Sequence, residues 1–400
     1  MRILMIAPEP FFEPRGTPFS EYHRIRALTT LGHTVDLVTY PFGADVEIPG
    51  LRIFRAMRPP FVSRVKIGPS LAKLPLDAVL TLAALRRALS GKYDLIHSHE
   101  EGGLIGIVLS LVLGIPHLYD MHSSLPQQLT NFAFSGSTLI RRVFLLMERL
   151  MIRRSRVVIV ICPSLEETVR EIEPDARVVL IENAPGSAEE HAVPAQAAAV
   201  RAQHGLSAQT PLVLYTGTFE AYQGLDLLFA AMKLVAEARP DARLLLAGGK
   251  PDQVEKAKAA AKAEGIDAVT IFAGERPATE IPAYLLACDA LVSPRSRGTN
   301  TPLKIYQYLR SGKAIVATRL LTHTQVLSDE TAILTGITSR EFADGILAAL
   351  TDTARAALVG RNAKALAETK YSYEAYLERT RRAVAALDPA APLAPIKDLA

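Results

Sequence analysis

Only two cysteines occur in 400 residues, Cys162 and Cys288, and they lie 126 positions apart. That spacing offers neither a disulfide framework nor paired thiolates for a metal knuckle, so nothing points to an oxidising compartment and a reducing cytoplasm fits best. Long apolar runs are also missing: residues 104–113 and 157–161 fall short of the roughly 20 needed to cross a bilayer, and no membrane helix is expected. The apolar run 1–7 breaks at Pro8 and lacks the length and cleavage site of a secretory signal, so it reads as a first strand. Neither a GxGxxG pattern nor a GxxxxGK phosphate loop is present, which removes the main support for a dinucleotide dehydrogenase or a P-loop NTPase.

What is there is a chain 49% apolar and long enough for two cores. The formal charge of +4 is small but uneven. Residues 51–92 hold nine Lys or Arg (Arg52, Arg55, Arg58, Arg64, Lys66, Lys73, Arg86, Arg87 and Lys92) against the single acid Asp77. A solvated basic face and a nucleic-acid patch both fit that count. The interleaved side chains are aliphatic rather than stacking aromatics, which favours an anionic membrane surface and a peripheral cytoplasmic location, with no nucleic-acid partner.

Short Val/Ile-rich runs alternate with helical stretches from residue 2 to about 162, the pattern of βαβ units in a parallel sheet covered on both faces. Composition then shifts to Ala, Pro, Gln and Glu over 183–209, which reads as a linker, and a second alternating series begins at Leu212. The expected architecture is α/β: two Rossmann-like, doubly wound domains, 1–184 and 185–372, facing a cleft. A helix at 373–387 crosses back onto the first domain, and a mobile Pro/Ala tail spans 388–400.

Four stretches carry a specific resemblance: the loop-to-helix segment around Gly16, with Ser20 or Thr17 as candidate N-cap; YDLIHSHEEGG running on to YDMH; IEN at the first domain's end; and TPLKIYQYLRSGKAIVAT. In this order and spacing they resemble the family 4 glycosyltransferases of the GT-B fold. The resemblance implies retaining sugar transfer from a UDP- or GDP-sugar co-substrate to a glycan or lipid-linked acceptor, with no cofactor and no metal. It places the acceptor on the first domain and the donor on the second. It puts Gly16 near the donor phosphates, His122 at the catalytic centre and Asn183 at the interdomain crossing. His97 and His99 read as structural, as do Asp94 and His33.

The chain departs from the family pattern at four positions. The paired glutamates fall on Thr299 and Gln307, and the two phosphate-binding cations on Thr218, after Gly217, and Gln223. A glutamine can still bind ribose through one acceptor oxygen and two donors, less strongly than a carboxylate. Thr299, Asn300 and Thr301 are left to contact the sugar, and Lys304, Arg295 and Arg297 to neutralise the diphosphate. An ordinary solvated loop explains Arg295 and Arg297 equally well. The base is expected beside Phe272, Gly274, Glu275 and Arg276. The substitutions leave open a noncatalytic GT-B binding protein, and the fold leaves open a nucleotide-sugar epimerase or hydrolase.

Overall fold

The computed structural model describes residues 1–12, 16–62, 70, 73–126, 137–182 and 192–391. The chain divides into two compact units, Met1–Asn183 with Glu374–Asp398, and Ala184–Tyr373.

The first unit is built on seven parallel strands, β1 (Arg2–Ala7), β2 (Thr34–Thr39), β3 (Leu51–Arg55), β4 (Leu95–His99), β5 (His117–Met121), β6 (Val157–Val160) and β7 (Val178–Leu180), in the order β3-β2-β1-β4-β5-β6-β7. The reversal of direction between β1 and β4 is the topological switch point, where ligands of such sheets bind. Ile3 to Ala7 are fully buried, as a strand covered on both faces requires. The helix Gly16–Thr30 starts earlier than the sequence suggests: Thr17 and Ser20 lie inside it rather than at its cap, because Pro18 is tolerated in a first turn.

β3 escaped the sequence reading, and its arginines change the meaning of the basic window. Arg52 and Arg87 both bind the buried carboxylate of Asp36, at 2.7 and 2.8 Å. Arg55 donates to the carbonyls of Phe11, Phe42 and Ala44 and to Asp45. Arg58 bonds the Val62 carbonyl, and Lys73 pairs with Glu101. Arg86 and Lys92 stay exposed, and Arg64 and Lys66 lie outside the described residues. Most of the window's described charge thus serves the fold.

Asp36 also accepts from Arg2 and Tyr93, and although its burial opposes ionisation, these donors hold its carboxyl far below the usual range. A depressed carboxyl contributes stability above its unfolded pKa near 4 and loses it as pH falls toward the folded value. Asp36→Asn is therefore expected to destabilise by about 2–3 kcal/mol at neutral pH and by less near pH 3. Urea melts at the two pH values check this; an equal loss at both would assign the effect to shape rather than charge.

The second unit carries six parallel strands, β8 (Leu212–Thr216), β9 (Arg243–Ala247), β10 (Thr270–Gly274), β11 (Ala290–Ser293), β12 (Ala314–Thr318) and β13 (Ile333–Thr335), ordered β10-β9-β8-β11-β12-β13. Its switch point lies between β8 and β11. The segment read as linker contains a helix, Pro194–Gln203, whose Ala197 and Val200 join this unit's core. Alanine-rich composition favours a helix as readily as a linker.

The helix Tyr373–Ala385 packs Tyr376 and Ala383 into the core of the first unit. The start of the expected mobile tail is held: Arg177 donates to the carbonyls of Asp388, Pro389 and Ala391. Residues 392–400 lie outside the described ones. Among the described residues no helix is long and apolar enough to cross a membrane.

Candidate functional site

Polar side chains gather at the carboxyl ends of the strands in both units. In the first, β4 supplies His97 and His99 and β5 supplies Asp120, with His122 just beyond it; all four are buried. Asp120 Oδ2 accepts from Arg24 Nε at 2.9 Å, and Arg24 is steadied by Thr380 and the Tyr376 ring of the C-terminal helix. His122 Nε2 lies 3.3 Å from Asp120 Oδ1 and 3.1 Å from His99 Nδ1. Burial resists ionisation of Asp120, but Arg24 and His122 outweigh it and hold the carboxyl well below its ordinary range. Burial pushes His97 down, and His99 further down, keeping both neutral at physiological pH. The result is a fixed buried anion that orients His122.

His97, His99 and Asp120 bring potential metal-ligand atoms within 4.8 Å of one another. The carboxylate is already occupied by the Arg24 guanidinium, which would lie against any cation placed there.

Three carboxyls beside this cluster went unnoticed in the sequence. Glu9 follows β1, Glu21 sits on the helix Gly16–Thr30, and Glu100 follows β4 with a left-handed φ of 46° that non-glycine residues rarely adopt. Burial raises all three, Glu21 and Glu100 to about 8. The repeated acid in HSHEEGG was the available signal for Glu100. A carboxyl raised on folding contributes stability below its unfolded pKa and loses it as pH rises toward the folded value. Glu21→Gln should therefore raise the melting temperature more at pH 8 than at pH 5. A constant difference would show that the buried carboxyl carries no ionisation penalty.

Gly16 opens its helix, and Asn183 lies outside the described residues. Asp94 and His33 make local contacts with the chain's first residues, Asp94 accepting from the Arg2 amide and His33 meeting the amino terminus.

In the second unit the loops after β8 and β11 are laced together. Gly224 has φ 75°, and a Cβ there would overlap the Pro294 carbonyl oxygen, while Ser296 N bonds Tyr222 O. Gly248 is pressed against Gly217 in the same way, so the glycines of LLLAGG serve close backbone packing. Lys304 is buried on the helix Leu303–Ser311 with its ammonium 3.8 Å from the Tyr215 ring centroid and 3.4 Å from Gln223 Oε1. Arg295 is anchored by Asn300 O and Thr322 Oγ1, while its buried Nε is unbonded among the described residues. No carboxylate pairs with either cation among the described residues. Burial pushes Lys304 well below its ordinary range, helped by Arg295, and lowers Arg295 as well.

The other expected donor-site residues divide. Thr218 accepts from Tyr215 through its carbonyl, and Gln223 faces Lys304. Thr301 is buried with its hydroxyl unbonded among the described residues, Thr299 and Asn300 bind Gln325 and Arg295 through their carbonyls, and Gln307 is half-buried. Arg297 is exposed, so the two arginines that looked equivalent are not. At the end of β10, Phe272 packs on Phe229, Gly274 accepts from Gly248, Glu275 is exposed and Arg276 folds back onto the Ala273 carbonyl.

Two family models match the chain: "Glycosyl transferase 4-like domain" over residues 22–184 and "Glycosyl transferases group 1" over 197–366. The chain is 27% identical over 324 residues to the D-inositol 3-phosphate glycosyltransferase of Pseudarthrobacter chlorophenolicus, covering 77% of this chain and 76% of that protein. The sucrose-phosphate synthase of Thermosynechococcus elongatus superposes with a TM-score of 0.77 at 21% identity, over 98% of this chain and all (100%) of that one. HepE of Anabaena, solved in complex with UDP-glucose, gives 0.75 at 18% identity over 96% and 99% of the two chains. These solved structures share the fold of this chain, in which each unit is a Rossmann-like parallel sheet.

Proposed function

Since the chain belongs to the family 4 glycosyltransferases of the GT-B fold, we propose that it transfers a sugar, with retention of anomeric configuration, from a nucleoside-diphosphate sugar to a glycan or lipid-linked acceptor. The observation that carries this reading is the pair of cations, buried Lys304 and part-buried Arg295, with no carboxylate partner among the described residues, at the carboxyl ends of β8 and β11. A buried cation without an anion is costly unless a ligand supplies one, and a diphosphate does so with two groups. UDP-glucose bound to the structurally similar HepE favours UDP as the first nucleotide to try.

The diphosphate sits with Lys304 and Arg295, Gln307 and Thr301 bind ribose and sugar hydroxyls, and main-chain groups near Gly274 and Glu275 hold the base. The first unit presents the acceptor, with His122 fixed by Asp120 to orient a sugar or acceptor hydroxyl. The acceptor oxygen bonds to the anomeric carbon on the face from which the diphosphate departs. The bond between that carbon and the phosphate oxygen breaks, and the leaving phosphate takes the acceptor proton. Lys304 and Arg295 stabilise the charge that develops there, the task a divalent metal would otherwise perform.

A thermal-shift screen of UDP-, GDP- and ADP-sugars tests the donor class. One family of nucleotides should raise the melting temperature in proportion to the logarithm of its concentration above its Kd. If none stabilises the protein, the donor assignment fails.

A further inference from the structure

The helix Gly102–Leu113, GGLIGIVLSLVL, has a single polar side chain, Ser110. It buries Ile107 and Leu109 against the first unit's sheet yet leaves Val108, Leu111 and Val112 about 59–67% exposed. A helix apolar on all sides is normally covered on all sides. It packs beside the helix Thr138–Arg154, where Gly103 allows close approach to Met151. That second helix buries Glu148, Met151 and Ile152 and turns Leu139, Val143, Leu146 and Leu150 outward. Spacings of four, three and four put those side chains on one stripe.

The exposed charges that this helix itself carries are all cationic, and of them Arg153 near its end is paired with Glu173. Arg142 and Arg149 follow its edge, exposed and without hydrogen bond or ion pair among the described residues. The helix's sole acid, Glu148, is turned inward to Ser124 and the Leu125 amide. On the other side of Gly102–Leu113, the helix Lys73–Ser90 adds exposed Leu82, Leu89 and Arg86.

We infer that this three-helix face docks on an anionic lipid surface, its leucines and valines entering the headgroup boundary and its arginines meeting lipid phosphates. So large an apolar area on one unit needs a covering. A second copy of the chain, paired about a two-fold axis, would bring the edge that carries Arg142 and Arg149 against a like-charged edge. Anionic lipid satisfies both the apolar and the cationic parts. The surface shares only the helix Lys73–Ser90 with the 51–92 window, most of whose described charge is committed inside the fold, and it does not depend on which nucleotide the second unit binds.

Sedimentation of the full chain with phosphatidylcholine vesicles, with and without phosphatidylglycerol, tests this. Wild type should pellet with the anionic vesicles, less so as salt rises, and stay in solution with phosphatidylcholine alone. The combined variant Leu139→Ser, Val143→Ser, Leu146→Ser and Leu150→Ser should lower the bound fraction by about tenfold, and Arg142→Gln with Arg149→Gln should remove the preference for anionic lipid. Far-ultraviolet melts establish that the variants fold; should the fourfold variant not fold, Leu111→Ser with Leu146→Ser takes its place. Wild type remaining in the supernatant at low salt overturns the inference. So does a wild-type dimer that ignores vesicles and that the serine variant converts to monomer.

Discussion

Lys304→Met is expected to make the unliganded protein more stable and the enzyme about 10²- to 10³-fold slower, two effects of one cause. Burial and Arg295 drive the Lys304 pKa down. A lysine depressed on folding detracts from stability below its unfolded pKa near 10.4, so an uncharged isostere removes that penalty at neutral pH. The same ammonium is the group best placed to meet a departing diphosphate, and methionine cannot replace it there. Melting temperature without ligand and kcat/KM for transfer check the two halves. A variant that melts lower and turns over normally would make Lys304 an ordinary packing residue.

His122→Ala is expected to lower kcat by about 10²- to 10³-fold while costing only about 1–2 kcal/mol of stability. The modest structural loss follows from geometry: Asp120 keeps Arg24 when His122 leaves. The large kinetic loss follows from the placement of His122 beyond β5, held by Asp120 and His99. His122→Gln, which retains a donor toward Asp120, should recover stability without recovering rate. Wild-type kinetics in the alanine variant would remove His122 from the reaction.

The alternation that built the fold was legible wherever strands are continuous aliphatic runs, as in RILMIA or VVIV. It was not legible at β3, LRIFR, because an edge strand that turns arginines toward a neighbouring carboxylate reads as surface charge. Proximity in three dimensions was hidden for the same reason. Nothing in SPRSRGTN separates Arg295 from Arg297; burial does, through the contacts of Arg295 with Asn300 and Thr322. His97 and His99 looked structural by position, yet they lie in one buried network with His122, because a parallel register sets β4 beside β5. Glu21 escaped notice because a carboxyl on an ordinary helix carries no sequence mark of its burial.

The contact between a diphosphate and Lys304 is tested directly by calorimetric titration with UDP and uridine, in wild type and Lys304→Met. Wild type should bind UDP far more tightly than uridine, since only UDP carries phosphates to meet the Lys304 ammonium. In Lys304→Met the gap between the two ligands should shrink. Equal affinity of the wild type for UDP and uridine, or an unchanged gap in the variant, would contradict the assignment.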